Sequence, residues 1–410
     1  MAAGDGSIRG TSATEEQWSG LPDDLVIMVY ARLASPGDRV RFTAVCASWR
    51  AVASTHPRRP VLPWLMLDPR GGDEAKRVYC PDDGMVLPHV PLLGDATGRC
   101  FIGGYEGGWV ASSEAPLGIM NLFSGAQVAL SKEQRRIVRE CQCTGDRLVL
   151  RKVVFSEAPT SSGCILAAMT DKFGVAICKV GCPERGWITK ELCWNDRLMD
   201  IAFCNGELYG VMRDGDMLIK FEITMDSQGA PMRIDVHRLN MENRDSYTGP
   251  EACPKYIVDL NGKLVMLEGI YRRWWPNNRT FCRVEELVDS NTDTSMHTYD
   301  YKWVRMASLG DYSLFLGPTC SKAVRVPTDE RSGLKRNHIY YSYHRCLRPN
   351  DEIPKGAKLF LASSDSNEDR VYYRKEGRTD NGDNVERIMP VGYYARSGVH
   401  PPMWLLPPDI

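Results

Sequence analysis

The chain has 410 residues, with 51 Lys plus Arg against 52 Asp plus Glu, a formal net charge of −1 and a pI of about 6.7. That balance excludes a broad electrostatic attraction to nucleic acid or to an anionic membrane surface. Hydrophobic residues at 43% and charged residues at 25% are ordinary globular composition, and the length calls for two domains unless one is a large ring-like β structure.

Residues 1–17 are rich in Gly, Ser, Thr and Ala and are expected to be disordered. They lack the apolar stretch of a signal peptide and the arginines of a transit peptide, and no run of 18 apolar residues occurs anywhere in the chain. The expected location is the cytoplasm and/or the nucleus.

Organisation begins at Trp18. Leu21-Pro22-Asp23-Asp24 places Pro and two acids where a first helical turn favours them, because Pro gives up only an orphan N–H there and carboxylates complement the helix dipole. The helix is predicted to run to Leu33 and to stop at Ser35-Pro36-Gly37. Its interior, Leu25-Val26-Ile27-Met28-Val29-Tyr30-Ala31, is apolar nearly all round, so it needs burial on more than one side. The next segment, Asp38 to Ser54, sets Phe42, Val45, Cys46, Trp49 and Val52 on one helical face, with a possible break near Cys46. About 40 residues cannot bury the first helix on every side. Part of it therefore covers the following domain or a partner protein.

From Pro60 to Ile410 short β-branched, aromatic and aliphatic runs alternate with turn signals, the all-β pattern. Expected strands include Ile165–Met169, Val175–Lys179, Ile201–Cys204, Leu208–Met212, Leu218–Ile223, Tyr256–Leu260, Leu264–Glu268, Phe281–Leu287, Tyr312–Leu316, His338–Tyr343 and Val371–Arg374. Asn205-Gly206 and Asn261-Gly262 each separate two apolar runs, the strongest short-range hairpin signal. These hairpins lie about 56 residues apart, near the size of one propeller blade, and the remaining length then divides into six or seven blades. Pro63-Trp64-Leu65-Met66-Leu67 and Pro402-Met403-Trp404-Leu405-Leu406-Pro407 echo one another at the two ends. A ring must join its first and last blades to avoid unpaired strand edges, so these segments are expected to meet.

The front residues Leu21-Pro22-Asp23-Asp24-Leu25, Arg32-Leu33, Asp38-Arg39-Val40-Arg41-Phe42 and Val45-Cys46-Ala47-Ser48-Trp49-Arg50 resemble an F-box over residues 18–58. The resemblance implies docking to the Skp-type adaptor of a cullin–RING ubiquitin ligase through Leu21, Pro22, Leu25, Met28, Val29, Leu33, Val45, Cys46 and Trp49. Tyr30 and Arg39 stand where that family more often has aliphatic residues, a change expected to lower adaptor affinity. The other reading is that these helices merely cap the next domain. Residues 60–410 resemble the plant KIB-type propeller family, on the two terminal segments above and on Gly107-Gly108-Trp109-Val110, Leu122-Phe123-Ser124-Gly125-Ala126-Gln127 in place of the family's Asn-Pro-x-Thr-Gly, Phe203-x-Asn205-Gly206-x-Leu208-Tyr209, Ser308-Leu309-Gly310-Asp311 with Phe315-Leu316-Gly317, and Asn337-His338-Ile339-Tyr340-Tyr341. The expected fold is thus mainly β: a small α-helical F-box followed by a six- or seven-bladed β-propeller.

Catalytic and metal constellations find little support. No G-x-S-x-G, H-E-x-x-H or P-loop occurs, and Gly103-Gly104-Tyr105-Glu106-Gly107-Gly108 lacks the Lys and Ser/Thr that would meet a phosphate. The fourteen cysteines include no C-x-x-C, and many lie in apolar strings, which reads as buried reduced thiols. His338, His344 and Cys346 offer no fourth metal ligand. Asp196, Asp200, Asp214 and Asp216 could form a propeller glycosidase's carboxylate pair, but their hairpin context suggests solvated turn residues. Arg272, Arg273, Trp274 and Trp275 combine the residue types most enriched at interaction hot spots, so they are the candidate target-binding group. The expected function is that of a substrate-receptor subunit of an SCF-type ubiquitin ligase, without catalysis, cofactor or metal of its own. Its partners would be the adaptor, through it the cullin–RING ligase, and a protein target, with no nucleic acid and no membrane. A non-degradative scaffold and a propeller enzyme acting on a glycan or small molecule are the alternatives.

Overall fold

The computed structural model describes residues 18, 20–33, 36–55, 62–67, 76–82, 84–87, 99–112, 117–135, 150–170, 174–182, 186–192, 197–213, 217–242, 254–271, 280–290, 299–327, 333–342, 358–361, 371–375, 388–395 and 402–408. The segment 1–17 expected to be disordered lies outside them. The chain divides into two compact units, residues 1–61 with 409–410, and residues 62–408.

Among the described residues the first unit includes the helices α1 (Asp23–Arg32), α2 (Pro36–Val45) and α3 (Ala47–Thr55), with the break falling at Cys46. Pro22 is the N-cap of α1, and its carbonyl accepts from the Val26 amide at 3.1 Å. Asp23 and Asp24 in the first turn and Arg32 in the last complement the helix dipole. The core gathers Val26, Tyr30, Phe42, Trp49, Val52 and Ala53. Phe42 lies between Tyr30 and Trp49, at ring distances of 5.1 and 4.5 Å. Tyr30 and Arg39 are interior residues: both are buried, the guanidinium lies 5.8 Å from the Tyr30 ring centre, and Arg39 Nε donates to the Leu33 carbonyl.

The second unit is built from strands. β1 (Trp64–Leu67), β2 (Arg77–Cys80) and β3 (Met85–Leu87) open it as an antiparallel set. β4 (Phe101–Tyr105), β5 (Trp109–Ser112) and β6 (Gly118–Asn121) form a three-stranded sheet, whose fourth place is taken by a short bridge from Met120 to Gln127. After a helical turn, α4 (Lys132–Arg135), come three antiparallel meanders. The first is β7 (Leu150–Phe155), β8 (Ile165–Thr170), β9 (Gly174–Lys179) and β10 (Ile188–Glu191); the second is β11 (Leu198–Cys204), β12 (Glu207–Met212), β13 (Leu218–Met225) and β14 (Pro231–Arg238); the third is β15 (Lys255–Leu260), β16 (Lys263–Tyr271), β17 (Thr280–Asp289) and β18 (Tyr301–Arg305). β19 (Tyr312–Leu316), β20 (Lys322–Arg325), β21 (His338–Ser342), β22 (Lys358–Leu361), β23 (Val371–Lys375) and β24 (Met389–Ala395) share one sheet in the order β20-β19-β21-β24-β23-β22, with β19–β21 and β21–β24 parallel. The last strand, β25 (Met403–Leu405), pairs antiparallel with β1.

Five of these sheets are antiparallel sets of three or four strands, and these are the blades: five rather than six or seven. Dividing length by one repeat assumed that every residue to the end belongs to a meander. The strands β19 to β24 instead share a mixed sheet with parallel pairings, which costs more chain per strand. The innermost strands lie side by side, β25 by β4, β4 by β7, β7 by β11, β11 by β15 and β15 by β20. Strands between neighbouring blades are buried on both faces, as in Leu166–Thr170 and Gly174–Cys178, and read as apolar runs rather than alternations.

Local chemistry accounts for the turns. Asn205 and Asn261 take φ of 51° and 53° and are followed by Gly206 and Gly262 at 77° and 82°, the type I′ signature, with Cys204 opposite Glu207 and Leu260 opposite Lys263. The terminal segments meet as expected: Trp64 faces Leu405 and Leu65 faces Trp404 across the β1–β25 pair. In the turn after β6 the working Asn is Asn121, two residues ahead of the Phe123-Ser124 position compared with the family's Asn-Pro. Its Oδ1 accepts from the amides of Phe123 and Ser124, and its Nδ2 donates to the Gly107 carbonyl.

Candidate functional site

Two places in the structure carry the chemistry of interest, one in each unit. In the helical unit, α1 buries Val26 and Tyr30 and turns Leu25, Met28 and Val29 outward at spacing i, i+3, i+4. These three are 43%, 48% and 38% exposed, Val45 at the end of α2 is 52% exposed, and Trp18 is 62% exposed. Pro22 is exposed as well, whereas Leu21, Leu33 and Cys46 are half-buried and pack against the module's core. Trp49 is buried, and its Nε1 donates to the Trp18 carbonyl at 3.1 Å, so it supports the surface from behind. The nine predicted docking residues thus separate into an exposed group, a half-buried group and one core residue. Trp18, three residues ahead of Leu21-Pro22, was not among the predicted residues but is at least as exposed as Leu25, Met28, Val29 and Val45.

In the β unit, Asp200 alone of the four acidic candidates lies among the described residues. Asp200, expected to be a solvated turn residue, is buried on β11 and ion-paired with Lys152 of β7 at 2.5 Å, both side chains being almost wholly enclosed. Burial pushes its carboxyl up, and the Lys152 ammonium with the Ile257 and Ile201 amides pulls it back. A Cβ added to Gly104 on the nearby β4 would meet Met403 Cε at 3.0 Å and Cys320 Sγ at 3.2 Å, so this glycine is closely packed by both side chains. Asp196, Asp214 and Asp216 lie outside the described residues, as do Arg272, Arg273, Trp274 and Trp275, which connect β16 to β17. Among the described residues no group of three or more His, Cys, Asp and Glu is placed to hold a metal ion. His338 instead stacks on Tyr340, with Nδ1 2.8 Å from the Arg336 carbonyl oxygen.

Among the described residues Cys46, Cys80, Cys100, Cys164, Cys178, Cys182, Cys204 and Cys320 are thiols outside any disulfide. Burial pushes Cys164 up to about 11, Cys178 and Cys204 up to about 12 and Cys320 up to about 11. Since the thiolate is the nucleophile, alkylation of the folded protein at pH 8 is expected to reach the half-buried Cys46, Cys100 and Cys182 and to spare those four. Peptide mapping checks this; rapid native labelling of Cys178 or Cys320 would contradict the buried-thiol assignment.

Similarity to known proteins agrees with this architecture. The chain is mainly β with a propeller, preceded by a helical module, and it belongs to the KIB1-4 beta-propeller family, whose model matches residues 78–373. It is similar to probable F-box protein At4g22060 of Arabidopsis thaliana, 24% identical over 359 residues covering 80% of this chain and 84% of the relative. Putative F-box proteins At4g22660 and At3g25750 of the same plant are 23% and 22% identical, over 79% and 80% of this chain and 86% and 88% of theirs. The chain is thus similar to plant F-box proteins and carries a KIB-type propeller. Among solved structures, the N-terminal domain of Nup159 matches with TM-score 0.30 at 9% identity, over 81% of this chain and 76% of that one. A quinonprotein alcohol dehydrogenase-like protein from Bacteroides thetaiotaomicron matches with TM-score 0.33 at 10% identity, over 84% and 78%.

Proposed function

We propose that this chain is the substrate-receptor subunit of an SCF-type ubiquitin ligase, holding a Skp-type adaptor with its helical module and a protein target with its propeller. The observation that carries the reading is the outward row of Leu25, Met28 and Val29, with Val45 and Trp18, on a module of about 40 residues that cannot cover it. The chain then contributes no ubiquitin chemistry itself; it raises the effective concentration of its target beside subunits that do. Arg272, Arg273, Trp274 and Trp275, joining the two longest strands of the β unit, are the proposed target contacts.

Leu25→Asp with Met28→Asp removes apolar contact worth roughly 1.5–3 kcal/mol per fully buried side chain while leaving the module's core untouched. Co-purification with a Skp-type adaptor is expected to fall at least about a hundredfold, with the helical circular dichroism unchanged. Undiminished co-purification would sink the docking assignment. Target recruitment is tested separately by proximity labelling in plant cells with and without residues 62–408. Labelled proteins whose half-life does not lengthen on proteasome inhibition would favour a non-degradative scaffold.

A further inference from the structure

We propose that Lys152 and Asp200 form an electrostatic lock that joins three consecutive blades, β7–β10, β11–β14 and β15–β18, into one cooperative unit of the ring. The lock begins in backbone irregularities. On three successive innermost strands one extra residue is inserted against the neighbouring strand: between Phe101 and Gly103 on β4, between Leu150 and Lys152 on β7, and between Leu198 and Asp200 on β11. A bulge of this kind re-aims the side chain that follows it. In the first strand that residue is Gly103, where a Cβ would run into the Val153 carbonyl oxygen, so β4 and β7 approach backbone to backbone. In the next two it is Lys152 and Asp200, whose charged groups meet.

The carboxylate is shared among three blades. Asp200 Oδ1 accepts from Lys152 Nζ of the preceding blade at 2.5 Å and from the Ile201 amide of its own strand at 2.9 Å. Its Oδ2 accepts from the Ile257 amide of the following blade at 3.1 Å. At the turns, Asn205 Nδ2 donates to the Gly262 carbonyl at 2.8 Å, a second tie between the same second and third blades. A buried ion pair adds little net stability, because desolvation offsets its attraction, but removing one partner leaves the other charge enclosed and uncompensated. The effect of the pair is therefore on coupling between blades, and its signature is non-additivity.

Thermal unfolding of the full-length protein tests this with Lys152→Met, Asp200→Asn and the double variant. Lys152→Met strands a buried carboxylate and is expected to lower the Tm by about 5–10 °C. Adding Asp200→Asn removes that charge and is expected to recover at least half of the loss. Losses that simply add would overturn the lock. Should Lys152→Met fail to fold, Asp200→Asn alone decides through hydrogen exchange. The Ile257 amide, on the third blade, is expected to exchange at least about tenfold faster relative to the Val265 amide of β16, because the Asn amide group cannot serve all the donors that the carboxylate accepts. An unchanged ratio would overturn the proposal.

Discussion

Trp404→Ala is expected to open the ring. Trp404 is fully buried on β25, packs edge-on against Phe315 at 5.1 Å and Tyr393 at 5.4 Å, and donates from Nε1 to the Leu316 carbonyl at 3.0 Å. It therefore joins the sheet of β1–β3 to the mixed sheet, at the seam where the chain's two ends pair. Truncating a buried Trp to Ala costs about 3–5 kcal/mol, and orphaning the Leu316 carbonyl adds about 1–3 kcal/mol. Against a total stability of roughly 5–15 kcal/mol, that removes a large share. Thermal unfolding followed by near-UV circular dichroism is expected to show a loss of at least about 3 kcal/mol for Trp404→Ala, and a smaller loss for Trp404→Phe, which keeps an aromatic ring. A Trp404→Ala protein as stable as the wild type would mean that the ring does not depend on this seam.

The second large effect falls on a residue that the adaptor is not expected to touch first. Trp49→Ala should abolish adaptor binding by unfolding the helical module, since Trp49 packs against Phe42 at a ring distance of 4.5 Å and its indole N–H donates to the Trp18 carbonyl. A unit of this size buries too little surface to survive a loss of about 3–5 kcal/mol. Helical circular dichroism and adaptor co-purification should therefore fall together in Trp49→Ala. In Leu25→Asp with Met28→Asp only co-purification should fall. A Trp49→Ala protein that keeps its helices yet loses the adaptor would move Trp49 from the core to the contact surface.

Much of the architecture was legible because its signals are local. The Asn-Gly pairs at 205 and 261 demand positive φ and therefore turns. The Pro22-Asp23-Asp24 start and the break before Ala47 follow from capping and helix geometry. Blade number was not legible, because nothing local distinguishes a strand that closes a meander from one that pairs in parallel with a distant segment, as β19 does with β21. The same limit hid Asp200: a bulge depends on the register with the neighbouring strand, and a carboxylate beside a turn reads as solvated until that register is known. On α1 the sequence showed more apolar surface than three short helices can cover, but only the packing of Val26 and Tyr30 decided that Leu25, Met28 and Val29 face outward. Tyr30 and Arg39 differed from the F-box pattern as single letters; in space they are a matched pair inside the module.

The pairing of β25 with β1 sets an order of events during synthesis. The helical module and β1 leave the ribosome well before β25, so the first sheet cannot be completed until residues 403–405 have emerged. A nonsense or frameshift mutation between residue 62 and Pro402 would thus yield a product with an intact helical module and an unfinished ring. If the helical module docks the adaptor as proposed, such a truncated chain would compete for it while delivering nothing. A late stop codon would then behave as a dominant inhibitor of the pathway rather than as a simple loss of the gene's activity.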